Sequence, residues 1–228
     1  NKQVAIFLGK PKQEGAKAVT SLYRTHDRPD PAKLDIFSVF INKFGYKVDL
    51  NQSELIAKNI NKLLGDIRLK NEYSLIQSMA IRSMAKAVYE TENIGHYGLA
   101  FEHYTHFTSP IRRYPDMLVH RSLQHYLDGG ESIDRALLDG PCAHSSEREK
   151  RASEAERASI KYKQVEFIGA RIGEEFDGVV NGISRKAVYI ELKANKCEGY
   201  VDIKEISTDR FSVDTERQCL VGLHTGQE

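Results

Sequence analysis

Residues 106–119 read His-Phe-Thr-Ser-Pro-Ile-Arg-Arg-Tyr-Pro-Asp-Met-Leu-Val, and His120-Arg121 follow. These residue types, in this order, suit a helix start aimed at an anion. Thr108 or Ser109 can serve as the cap, its hydroxyl accepting from an orphan backbone N–H. Pro110 fits the first helical position, where its missing N–H costs nothing. The free N–H groups and the positive end of the dipole then form a phosphate site. Arg112 and Arg113 would lie in that first turn, where the dipole disfavours each cation by roughly 0.3–1 kcal/mol. A bound anion would offset the penalty. The alternative is a capped helix whose arginines pair with nearby carboxylates. Pro115, one turn in, either distorts the turn or moves the true start later.

Other elements must carry this segment. Residues 2–9 read as the tail of a helix, and Leu22 to His26 as a short strand. Pro31 opens a helix with Leu34, Phe37, Phe40, Ile41 and Phe44 at helical spacing, and Gly45 ends it. Ser53 to Leu64 repeats the pattern, with Asn51 or Ser53 as its cap. Glu72 to Tyr89 reads as a further helix whose Leu, Ile and Met stripe is core. Gly95, Gly98 and the aromatics up to Phe107 suggest strand or loop leading into the signature. Gly129-Gly130 ends the next helical stretch, and 146–169 reads as a long charged helix with a solvated face. After Gly169 the period changes. Short β-rich runs split by Gly178, Gly182 and Gly199 make a small β-barrel pattern.

The 228 residues could form one or two domains, with ordinary globular composition. No apolar run approaches the ~20 residues of a membrane span, and no signal peptide is visible. The 33 basic and 32 acidic residues give a net charge of +1. That neither argues for nor excludes a nucleic-acid partner, because a basic channel can be offset by an acidic exterior. Cys142, Cys197 and Cys219 form no Cys-x-x-Cys pair, so they read as reduced thiols of a cytoplasmic protein. The eight histidines lack ligand spacing: His103 and His106 are three apart, with no His-Glu-x-x-His helix. Asp27, Asp30 and Asp35, set around Pro29 and Pro31, read as turn and cap residues.

The run His-Phe-Thr-Ser-Pro-Ile-Arg-Arg-Tyr-Pro-Asp with His120-Arg121 resembles the signature of the ribonuclease II / ribonuclease R family. Leu22-Tyr23-Arg24-Thr25-His26 with Pro29 resembles an upstream element of that family. Glu147-Arg148, Ala152 and Glu154-Ala155-Glu156-Arg157 resemble the helix after the signature. The resemblance implies an α+β fold. Residues 1–168 would be the mainly helical C-terminal half of an RNB catalytic domain, and 171–228 a partial OB-fold (S1) β-barrel.

The function implied is that of a processive 3′-to-5′ exoribonuclease, hydrolysing single-stranded RNA to nucleoside 5′-monophosphates with Mg2+. The family's metal-holding aspartates lie upstream of the matched segment. The expectation is that this segment holds no metal and is inactive alone. The parent is expected to be a cytoplasmic monomer with single-stranded RNA as partner.

By position in the motif, Arg112 matches the arginine that contacts phosphate near the cut. Arg113 either binds a neighbouring phosphate or supports the fold. Glu156 matches a residue that positions water or the terminal nucleotide, with Glu154 as rival. Thr108 and Ser109 complete the expected phosphate contacts. Tyr104 and Phe107 are candidates for base stacking or for the core. In the barrel, Tyr189 keeps an aromatic RNA position, whereas Lys186 and Asp202 stand where the family usually has an aromatic or histidine. Lys186 can still hold phosphate. The alternative function is a non-catalytic RNA-binding module.

Overall fold

The computed structural model describes residues 1–10, 18–50, 52, 55–70, 72–184, 186–206, 210–214 and 219–226. Two units are distinguished: Asn1–Ile41 with Tyr46–Ala152, and Asn42–Gly45 with Ser153–Glu228.

The first unit contains α1 (Lys2–Gly9), β1 (Tyr23–Thr25), α2 (Pro31–Asn42), α3 (Ile56–Asp66), α4 (Tyr73–Ser83), β2 (Val88–Glu90) and α5 (Tyr114–Leu127). It also contains the first half of α6 (Ala136–Gly169). Asp30 starts α2 by accepting the Ala32 N–H at 3.0 Å, and Asp27 accepts from Arg28 N at 2.7 Å. These two are the turn and cap residues their proline-rich setting implies, whereas Asp35 lies inside α2. Gly45, at φ +81, follows α2 in a left-handed conformation that side chains resist. Leu34, Phe37, Ile41, Ile60, Leu63 and Ile76 bury the facing stripes of α2, α3 and α4 in one core. Each such side chain contributes roughly 1.5–3 kcal/mol when fully buried. A second core joins Leu8, Leu22, Tyr89, Leu118, Val119, Tyr126 and Cys142. Burial there pushes the Cys142 thiol up to about 12, which leaves it inert.

Three elements differ from the sequence reading. The helix expected to run to Tyr89 stops at Ser83, because Met84 turns extended. Val88–Glu90 instead pairs antiparallel with β1, Arg24 facing Tyr89. β-Branched and aromatic residues favour that pairing over a last helical turn. The long helix begins at Ala136, ten residues before the expected 146. Asp134 caps it by accepting the Ala136 N–H at 3.1 Å, and Pro141 near its start removes only one N–H. The helix α3 begins at Ile56, after Leu55; Asn51 and Ser53, the expected caps, lie outside the described residues.

The second unit holds an antiparallel meander of β3 (Gly178–Ile183), β4 (Ala187–Leu192) and β5 (Glu198–Asp202). A separate hairpin pairs β6 (Phe211–Asp214) with β7 (Cys219–Gly222). The molecule is therefore mixed helix and sheet, and the sheets are small and not closed into a barrel.

Candidate functional site

The arginine-bearing segment does not open a helix at Thr108–Pro110. Residues 109–113 form a turn in which Arg112 N and Arg113 N both donate to Ser109 O, at 3.3 and 3.0 Å. Helix α5 starts only at Tyr114. Pro115 falls in its first turn, where a missing N–H costs nothing, so it marks the start rather than distorting it. Asp116 also lies in this turn, with 0% of its surface exposed. Its Oδ1 accepts Ser109 N–H at 2.8 Å and Arg113 Nη2–H at 2.9 Å. Arg113 Nε sits 2.9 Å from Oδ2. A carboxylate of the chain itself thus complements the helix dipole. The expected phosphate site on free N–H groups, capped by Thr108 or Ser109, is corrected accordingly.

This clamp separates the two arginines. Arg113 faces inward onto Asp116, which engages its guanidinium within the fold. Arg112 is exposed, and among the described residues no carboxylate engages it. It lines a recess of about 890 Å³ with Tyr89, Tyr114, His144, Arg148 and Glu149.

The recess floor is tied together across three elements. Arg24 on β1 lies 4.5 Å over the Tyr89 ring of β2 and pairs with Glu149 of α6 at 2.6 Å. Tyr89 N donates to Ser146 Oγ at 2.9 Å. The Tyr89 hydroxyl bonds His106 Nδ1 at 2.8 Å. Burial, reinforced by Arg113 and Arg24, pulls the His106 imidazole down to about 4, so it is neutral and accepts that proton. His120 stacks on Phe107 at 3.9 Å and its Nε2 donates to Phe107 O at 2.8 Å. The two signature histidines are therefore braces that hold the 106–113 segment.

Among the other expected residues, Thr108 is exposed and Ser109 half-buried. Tyr104 is half-buried among His96, Phe101 and His106, and its hydroxyl accepts from Asn1 Nδ2 at 3.1 Å. Glu156 is an exposed carboxylate on α6 within the second unit, and Glu154, unlike it, has a partner.

On the meander, Lys186 is exposed and Tyr189 is 44% exposed. Sequence reasoning missed Tyr200. It faces Tyr189 across the strands, 71% exposed, with ring centroids 6.3 Å apart. Its signal was symmetry: residues of β4 and β5 pair at equal distances from the Lys193–Lys196 turn, which brings 189 opposite 200.

Residues 5–129 match the RNB domain family, which is more than half of the chain. The chain belongs to the RNB family. Residues 170–225 of this RNB chain match the S1 RNA binding domain. It is 40% identical to ribonuclease R of Aquifex aeolicus over 210 residues, covering 90% of this chain and 30% of that protein. Ribonuclease R of Mycoplasma genitalium in complex with ribose-methylated single-stranded RNA superposes with a TM-score of 0.88 at 26% identity. That match covers all of this chain and 36% of the other. Yeast Ssd1, a pseudonuclease, shares the fold with a TM-score of 0.75 at 23% identity over 96% of this chain and 27% of its own. The RNB chain thus spans about a third or less of the relatives it matches.

Magnesium, which the family resemblance implies, finds no fitting residues here. Among the described residues, no group of three or more His, Cys, Asp or Glu side chains could hold a metal ion. No described helix is long and apolar enough to cross a membrane.

Proposed function

We propose that this chain is the strand-holding part of a processive 3′-to-5′ exoribonuclease that hydrolyses single-stranded RNA to nucleoside 5′-monophosphates. The observation that carries the reading is the split between two adjacent arginines. Asp116 engages Arg113, while Arg112 lines a recess and is engaged by no carboxylate among the described residues. A planar, permanently charged guanidinium binds two phosphate oxygens at once. Held rigidly, it gains strength as charge grows on those oxygens during cleavage.

The Mycoplasma genitalium relative, solved with single-stranded and with double-stranded RNA, supports RNA as the polymer. Glu156, without a partner among the described residues, keeps the role of positioning water or the terminal nucleotide, in preference to the engaged Glu154. Tyr189 and Tyr200 offer rings for base stacking, and Lys186 a phosphate contact. Magnesium would be held by residues outside this segment, in a protein acting as a cytoplasmic monomer.

Two measurements test the reading. In the full-length protein, Arg112→Ala slows RNA cleavage by roughly 10²–10³ while RNA still binds, the loss of one transition-state donor. An unchanged rate removes Arg112 from the site. The 228-residue chain alone binds single-stranded RNA and does not hydrolyse it; magnesium-dependent decay by this chain overturns its assignment as inactive. The second reading, a non-catalytic RNA-binding module, is favoured by the lack of a metal-holding cluster among the described residues. It predicts no hydrolysis by the full-length protein either.

A further inference from the structure

The recess that presents Arg112 is lined by a second guanidinium from another element. Arg148 rises from α6, is exposed, and among the described residues pairs with no carboxylate. The charges around the recess are already matched in a way that leaves these two out. Glu149, its one lining carboxylate, is taken by Arg24 at 2.6 Å. Arg113 is taken by Asp116. What remains is two cations from separate elements, with the rim ring of Tyr114, 48% exposed, on the Arg112 side. Two like charges facing one concavity repel each other unless an anion lies between them. Each guanidinium presents its own pair of donors, and a strand offers each of them a separate phosphate.

We propose that Arg148 is a second RNA-binding residue, and that Arg112 and Arg148 grip two different phosphates of one RNA strand laid through the recess. The inference rests on the reading of Arg112 as a phosphate ligand, and extends it to a strand contact on α6. Tyr114 is placed to lie against the sugar or base between them. The Arg24–Glu149 pair acts as a positioning device: it keeps the carboxylate next in sequence from folding onto Arg148.

The test is the salt dependence of binding between the 228-residue chain and a fluorescein-labelled uridine oligomer of about ten nucleotides. Each phosphate contact on a single strand contributes about 0.7 to the slope of log K against log salt. Arg148→Ala is expected to lower the slope by about 0.7. If affinities converge near about 1 M salt, that is an affinity about eightfold weaker at about 50 mM. Arg112→Ala should match it, the double variant should lose about twice as much, and Arg148→Lys should restore the slope. Lys58→Ala, on an exposed α3 position away from the recess, should leave it unchanged.

If Arg112→Ala lowers the slope and Arg148→Ala does not, the inference fails and the underlying reading stands. If neither does, both fail. Should Arg148→Ala lower the melting temperature, Arg148→Gln, which keeps a long polar side chain, reads the same slope.

Discussion

The recess of the first unit and the β4–β5 face of the second, both proposed to hold RNA, would do so by different physics. In the recess, charge does the selecting. Two ion pairs, Arg113–Asp116 and Arg24–Glu149, are closed within the protein, and no carboxylate among the described residues pairs with Arg112 or Arg148. On the sheet face, aromatic surface does it. Tyr189 and Tyr200 stand side by side, while nearby Glu191 is engaged by Lys196 at 2.7 Å and Asp202 caps the following turn at Lys204 N. Neither region depends on an unusual residue type. In both, internal partners silence some polar groups and leave others free, and those left free define what the surface can bind. A charge grip weakens steeply with salt, whereas stacking tolerates it.

The largest test of the contrast is Asp116→Ala. It leaves the half-buried Arg113 guanidinium and the Ser109 N–H without their acceptor, and should destabilise the chain by ~3–5 kcal/mol in urea unfolding. Little change would mean that the 109–113 turn is not held by this carboxylate. The recess would then be no more preorganised than an ordinary loop. A middle-sized effect belongs to the other region. Tyr189→Ala and Tyr200→Ala should each weaken single-stranded RNA binding by ~1–3 kcal/mol, with the salt slope unchanged. A falling slope would show that this face also works by charge and dissolve the distinction.

A pH-dependent effect concerns the brace behind the recess. His106 is held at about 4 when folded, against 6.5 for the free side chain. As pH falls below 6.5 the unfolded chain takes up a proton that the folded chain refuses. Stability therefore drops through the window from 6.5 to about 4 and is unaffected above it. The ring protons of His106 should titrate near 4 by NMR. A midpoint near 6.5 would place the imidazole in water and detach Tyr89 from its brace.

Much of the fold was legible because helical periodicity survives in isolation. The stripe of Leu34, Phe37 and Ile41 announces α2, and the glycine punctuation after Gly169 announces the meander. Boundaries were less legible wherever a side chain from elsewhere decided them. Val88–Glu90 is a strand because β1 offers it an edge, and α6 starts early because Asp134 caps it. The β1 edge lies outside any window of a dozen residues around Val88, whereas the Asp134 cap is local and its signal was passed over.

Within the site the division is sharper. The order of residue types from His106 to Arg121 was enough to mark an arginine-rich turn at a helix start, and it left open whether those arginines meet an anion or a carboxylate. It could not say which arginine points outward. That choice was made by burial: Asp116 sits in a dry core position where an unpaired charge is costly, so it must capture a cation, and the turn geometry hands it Arg113. The same holds for Tyr200, an ordinary tyrosine until strand register set it beside Tyr189. Local pattern determined which chemical groups this chain brings. Long-range packing decided which of them stay free to act, because pairing and desolvation depend on neighbours that sequence distance does not reveal.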